Sequence, residues 1–406
     1  MIRIQFFPKS FRLVLLCSVA NFINAADRVI MPIAIIQMTD EFNWSLHTQG
    51  WILSAFSVGY LTSQLAGAFM FGGYGGKTLL IFSVLLWSFS TILTPLVASS
   101  SIAGLVFFRI VLGIGEGLGL PTMYHLLAVS VPEEERSRAF GYLVAAGSVG
   151  QTFASVLCPH LYWPTSFYIF GLMGFAWVVL WMCSMANLQT NLHIPLFRDQ
   201  QKQQTYSGWA LLSHWALWSI YLAHFAMNWT SYIVMQWLPT YLLRSLGAGK
   251  ENISFTAVPY IFNSILAIVA GHFADKLVSK GWSLLKVRRL MTNIGLVGPA
   301  FFLMAFCAVN NLAAAVVLVS ISMGLCAFNS AGHLSNHADV APEHAGATFA
   351  LSNTLATIPG ILCGPLTAEL VTASRGRWLP VYVLAAVINF TSAIIYQSQS
   401  FASPVL

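Results

Sequence analysis

The chain has 406 residues, 57% of them hydrophobic and only 8% charged, with a mean hydropathy of +0.73. Soluble domains carry about a quarter charged residues, so this composition excludes a soluble fold, and apolar runs of about 20 residues, long enough to cross a bilayer, recur down the whole chain. The net charge of +6 comes from basic residues between those runs, the pattern of membrane orientation, which excludes nucleic acid as a partner.

Residues 1–10 are too few, and too poor in serine and arginine, to read as a transit peptide. Spans are then predicted at 11–38, 50–71, 77–98, 102–130, 138–161, 166–188, 211–243, 253–274, 289–309, 312–337, 345–372 and 378–396, twelve in all. The longest polar connector, with Arg198, Asp199 and the run "QQKQQT", separates six spans from six. The expected organisation is therefore an all-α membrane protein with an N-terminal six-helix bundle over 1–188, a central cytoplasmic loop over 189–210 and a C-terminal six-helix bundle over 211–406. Weak internal similarity supports two halves: "AGAFMFGGYGGK" follows span two and "AGHFADKLVSKG" follows span eight. The second copy carries Asp275, whereas the first has Gly72 where an acid is expected.

Orientation follows from lysine and arginine counted loop by loop. With the N-terminus cytoplasmic, thirteen of the 19 fall on that side, four (Arg244, Lys250, Arg375 and Arg377) on the other, and Arg28 and Arg109 lie in the membrane. Both termini are expected in the cytoplasm, and the chain is expected to work as a monomer in a plasma membrane, endomembrane or plastid membrane. The six cysteines lie in or at the ends of apolar spans without paired spacing and read as small packing residues.

A charge at bilayer depth costs about 3 kcal/mol on insertion scales, so residues that bear one face a partner or a wet cavity. Span one, "VANFINAADRVIMPIAII", puts Asn21, Asn24 and Arg28 on one helical stripe, with Asp27 about 100° round from Arg28. The stripe either lines a cavity, or Asp27 and Arg28 merely neutralise each other or a neighbouring helix. Span four, "FFRIVLGIGEGLGLPTMYHLLA", places Arg109 and Glu116 seven residues apart. That spacing returns to within roughly 20° of the same face, about 10 Å along the axis. The two form either a buried structural pair or a site in which arginine holds an anion and Glu116 releases it, by pairing with the arginine or by taking a proton. The alternating glycines Gly113, Gly115, Gly117 and Gly119 suit close helix approach, and Pro121 is expected to kink the span.

Span seven supplies His224, read as a packing residue, and Asn228 one turn on. Span ten ends "AGHLSNHADVAPEHAG", where His333, His337 and Asp339 resemble a metal set; with no second catalytic acid or cysteine to accompany them, a titrating His337 in the cavity is the preferred reading and no metal is expected. "GIGEGLG" lacks the strand before it and the lysine and hydroxyl after it that a phosphate-cradling loop needs. No Gly-x-Ser-x-Gly turn offers a nucleophile, so an enzyme is not expected, and the longest connector is too short for a receptor's external domain.

The chain resembles the anion-transporter branch of the major facilitator superfamily, which includes vesicular glutamate transporters, the lysosomal sialic acid transporter, sodium-phosphate cotransporters and plant plastid phosphate transporters. The resemblance rests on "DRVIMPIAI", "GYLTSQLAG", "RIVLGIGEGLGLP" and "VPEEERSRA" in the first half, and on "HFAMNWTSYIVMQWLPTY", "GPAFFL" and "SNHADVAP" followed by "LSNT" in the second. "DRV" and "SNH" before "DVAP" are most like the plant phosphate group. The resemblance implies the major facilitator fold, with Arg28 as a substrate-binding arginine, Arg109 and Glu116 in binding and in proton or gate coupling, and matches at His337 and Lys77. Met227 stands where the glutamate transporters have a second anion-binding arginine, and Leu53 where they have a histidine, which weighs against a glutamate-sized dicarboxylate.

The expectation that follows is a secondary transporter of a small anion, inorganic phosphate first, with a sialic acid, nucleotide or other carboxylate as the rival. Arg28, Arg109, His337, Asn24 and Asn228 would bind it; Glu116, Asp27, Lys77 and Asp275 would couple or gate. No cofactor is expected beyond sodium or a proton as coupling ion.

Overall fold

A computed structural model describes residues 9–71, 75–185 and 209–405. Its helices are α1 Lys9–Phe42, α2 Leu46–Phe71, α3 Gly76–Ala98, α4 Ile102–Ser130, α5 Glu133–Leu157 and α6 Trp163–Met185, then the single turn α7 Ala210–Ser213, α8 Trp215–Arg244, α9 Ala257–Ser279, α10 Leu284–Cys307, α11 Leu312–Cys326, α12 His333–Val340, α13 Ala345–Leu355, α14 Ile358–Ala373 and α15 Leu379–Gln399. Among the described residues ten spans are long and apolar enough to cross a membrane. The other two of the twelve expected are α2 and α8, the latter diluted by His224, Asn228, Thr230, Ser231 and Gln236. The expected loop 189–208, with Arg198 and Lys202, and Gly72 and Gly73 lie outside the described residues.

The chain falls into two compact units; Ser45–Gly50 groups with the second. In the first unit α1 packs on α5 and α6, and α3 on α4 and α6. In the second, α8 packs on α14 and α15, and α10 on α11 and α15. First-to-fifth, first-to-sixth, third-to-fourth and third-to-sixth pairing thus recurs, the structural form of the repeat that the loop strings only hint at.

The glycine run of α4 explains one of these packings. A methyl on Gly113 would run into the Phe56 carbonyl of α2, and one on Gly117 into Ser63; Gly115 and Gly119 instead meet Trp87 of α3. Alternate glycines therefore serve two neighbours on two faces of one helix, which lets backbones close without side chains between them. α4 stays helical through Pro121.

Spans ten and eleven, each predicted as a single helix, are broken, both in the second unit, and span seven begins with the separate turn α7 before α8. Span ten leaves α11 through a 3₁₀ turn at Ala327–Ser330 and restarts at α12. The cause is local: Asn329 Nδ2 donates to the carbonyls of Gly295 and Cys326, and Gly332 has φ −92° and ψ −118°, off the helical path. Span eleven breaks between α13 and α14, where Pro359 in the first turn of α14 has no N–H to continue the ladder.

Candidate functional site

In the first unit, Arg28 of α1 and Glu116 of α4 meet: Arg28 Nε donates to Glu116 Oε2 at 2.9 Å. Arg28 also donates to Asn24 Oδ1 one turn earlier, at 3.3 Å. The Arg28 side chain keeps 24% exposure whereas Glu116 keeps none. The pair that the seven-residue spacing suggested, Arg109 with Glu116, is not the one formed; the carboxylate reaches across to α1 instead. Spacing along one helix fixes which side chains share a face, but the partner on the facing helix is set by rotation of that helix, which the sequence of α4 does not contain.

Arg109 is 3% exposed and has no hydrogen bond or close ion pair among the described residues, and its Nε is buried without a partner. Its guanidinium lies 5.8 Å from the centre of the Phe56 ring. Arg28 lies 5.6 Å from the same ring and 5.1 Å from Tyr60, one turn further along α2. Both arginines therefore belong to one place, gathered on an aromatic face of α2. The sequence reading missed Phe56 and Tyr60. In an apolar helix an aromatic reads as core, and the only available signal was their four-residue spacing in the span next to the glycine run.

Asp27 is buried and turns to α3, where Thr91 Oγ1 stands 3.4 Å from its Oδ2; its Oδ1 is unpartnered. It lies within electrostatic range of Glu116 and Arg109. Two arginines and two acids therefore share the middle of this unit, with Arg109 the member that has no hydrogen-bonded partner. Asn21, expected beside them, instead donates from Nδ2 to the Leu143 carbonyl at 2.8 Å and joins α1 to α5. Lys77 donates to the Met185 carbonyl at 2.8 Å, capping the end of α6.

In the second unit, Asn228 Nδ2 donates to the Ala356 carbonyl at 2.8 Å and satisfies the backbone where span eleven breaks. His337 Nδ1 is 3.1 Å from Thr348 Oγ1, whose own proton goes to the Ala345 carbonyl at 3.0 Å. The threonine can then only accept, so His337 carries its proton on Nδ1 and presents a bare lone pair at Nε2, which has no partner. His224 pairs with Ser352 at 2.8 Å. His333 is fully buried and both its ring nitrogens lack partners. Asp339 is taken by Arg288, at 2.7 Å and 3.3 Å, and among the described residues no group of three or more histidines, cysteines or acids is placed to hold a metal. Asp275 is exposed near the end of α9, with no hydrogen bond or ion pair among the described residues.

Residues 17–363 match the profile of the Major Facilitator Superfamily, and the chain belongs to that superfamily of secondary transporters, not to any family of enzymes. It is similar to an "Ascorbate transporter, chloroplastic" of Arabidopsis thaliana, 34% identical over 97% of this chain and 75% of the relative. It is similar to a "Sodium-dependent phosphate transport protein 1, chloroplastic" of the same plant, 33% identical over 98% of this chain and 81% of the relative. Among solved structures it shares the fold of a bacterial homologue of the lysosomal transporter Spinster, with TM-score 0.78 and 15% identity over 97% of this chain and 98% of that one. Membership of the anion-transporter branch, expected from "DRV" and "SNHADVAP", agrees with these relatives.

Proposed function

We propose that the chain carries inorganic phosphate across its membrane by alternating access between two six-helix halves joined by a central cytoplasmic loop at 189–210, with sodium or protons as the driving ion. The observation that carries this reading is Arg109: a guanidinium 3% exposed, without a hydrogen-bonded partner among the described residues, beside a second arginine that is already paired. An unpaired buried cation is costly, and a planar fork of donors suits a tetrahedral oxyanion. Asn24 holds Arg28, and Asn228 and His337 are proposed as further binding residues. Asp27 and Glu116 are the acids available to couple transport to a cation.

Gating falls to Lys77 and Asp275, the basic and acidic residues that survive from the loop strings. Both termini lie in the cytoplasm on the lysine and arginine count, and the chain works as a monomer. The test is uptake of labelled phosphate into liposomes containing the purified protein under an imposed sodium or proton gradient. Gradient-driven accumulation is expected, and its absence under both gradients rejects the reading. A second reading, an organic anion, is favoured by the relative named for ascorbate. Competition with ascorbate, sialic acid, glutamate and ATP in the same assay decides between the two, and only weak competition by glutamate is expected because Met227 and Leu53 offer no further cation.

A further inference from the structure

One ring touches both arginines. Phe56 is 4% exposed, and its centre lies 5.6 Å from the Arg28 guanidinium and 5.8 Å from that of Arg109, on two different helices. The two cationic carbons can therefore be no farther apart than those two distances laid end to end. Phe56 is itself held from below. Its backbone carbonyl packs on Gly113, so closely that no side chain fits there. Gly113 lies four residues after Arg109 and three before Glu116, on the face that those two share. The ring is thus registered, through backbone, to the midpoint between the two charged groups of α4. Gly59 makes the reciprocal contact one turn on, against the Ile110 carbonyl, so the register of α2 on α4 is fixed at two points.

We infer that Phe56 is the positioning residue of the anion site: its ring carries both guanidiniums, sets the gap between them, and so selects the size of the anion that bridges them. A guanidinium lying on an aromatic ring has one face covered and water excluded from it, while its edge N–H groups stay free. Ligand then approaches along the edge, the direction in which paired hydrogen bonds form. Arg28 has further anchors in Glu116 and Tyr60; Arg109, with no hydrogen bond of its own among the described residues, depends on the ring. The inference rests on the reading that these arginines bind the transported anion, but the placing of Arg109 is testable without any substrate.

The experiment compares the wild-type protein with Phe56→Leu, which keeps bulk and loses the ring, and Phe56→Tyr, which keeps the ring. First, the purified proteins are treated with an arginine-selective dicarbonyl reagent and labelling of Arg109 is followed by peptide mass spectrometry. Labelling is expected to rise several-fold in Phe56→Leu and to return to the wild-type rate in Phe56→Tyr; equal labelling in all three overturns the inference. Second, phosphate uptake in liposomes is expected to show a KM raised roughly tenfold in Phe56→Leu with Vmax nearly unchanged, the scale of one desolvated cation–π contact, and longer dianions are expected to compete better. A fall in Vmax alone, with KM and competition unmoved, identifies a structural role and overturns it. Should the wild-type protein move no phosphate, the proposed substrate fails while the labelling result still judges Phe56. If Phe56→Leu does not fold, Phe56→Met takes its place with the same two outcomes.

Discussion

The two units pair their helices alike but spend their polar residues differently. In the first, the four charges Asp27, Arg28, Arg109 and Glu116 sit within unbroken helices, α1 and α4, whose backbones are pressed against neighbours through glycine. In the second, the corresponding spans carry neutral groups such as Asn228 and His224, and the helices break at Gly332 and after Ala356. One of its ion pairs, Arg288 with Asp339, lies near the start of α10 and the end of α12. The difference teaches where each unit keeps its freedom. The charges of the first unit are mounted on continuous helices, whereas the unit with broken spans has helix ends held by side chains: Asn228 on the Ala356 carbonyl, Asn329 on those of Gly295 and Cys326.

The largest expected effect tests the charged half of this comparison. Arg109→Ala should lower phosphate uptake at least about a hundredfold, since it removes the charge-assisted pair of hydrogen bonds proposed to hold the anion and leaves Asp27 and Glu116 with one arginine between them. Arg109→Lys should recover only part, because a point charge does not reproduce the fork. Full uptake by Arg109→Ala would move the anion site out of the first unit altogether. In the second unit the matching cut is Arg288→Ala. Arg288 donates to both carboxylate oxygens of Asp339 and, through Nη1, to the Ala331 carbonyl at 2.8 Å, so it holds both ends of the eight-residue α12. Its loss should cost about 2 kcal/mol, reduced from the figure for a fully buried pair because both side chains keep some solvent contact. Amide exchange should speed up across 333–340 and stay unchanged in α4. Uniform acceleration in both units would mean that the breaks are not held locally.

Glu116→Gln comes next. The amide can still accept from Arg28, so the fold should survive, but it can no longer give up or take a proton. Gradient-driven uptake is expected to fall about tenfold, while exchange of internal for external phosphate persists and loses its dependence on pH. Unchanged pH dependence with undiminished uptake would remove Glu116 from coupling and leave Asp27 as the acid.

How much of this was legible in the letters follows the same division. Arg28, Arg109 and Glu116 stand out in sequence because charge at bilayer depth is rare and costly, and the spans stand out because run length alone sets them. The partner of Glu116 is not legible, since it depends on how α1 is rotated against α4. Phe56 is not legible either: an aromatic in an apolar helix has the same appearance whether it packs on leucine or under two guanidiniums. The breaks in spans ten and eleven rest on single residues, Asn329, Gly332 and Pro359, inside windows whose mean hydropathy stays high, so a reading by periodicity runs straight through them. Lys77 looks like a gate by resemblance, and its contact with the Met185 carbonyl at the end of α6 is a further feature that no sequence pattern announces.

The smallest effect expected is also the one with the opposite sign. His333 opens α12, is fully buried, and has neither ring nitrogen hydrogen-bonded, with His224 and Tyr396 as ring neighbours at 5.9 Å and 6.3 Å. A neutral imidazole always presents one donor and one acceptor, so in this setting it gives up two hydrogen bonds to water and gains none. His333→Phe keeps a ring of similar shape and removes both polar atoms, and it should stabilise the second unit by about 1 kcal/mol, seen as a raised melting temperature in detergent with uptake unchanged. A loss of stability would show that the histidine is hydrogen-bonded in the working protein. The neutral half would then owe its broken tenth span to a polar network, as the charged half owes its geometry to ion pairs, and the contrast between the two units would narrow to charged against neutral side chains.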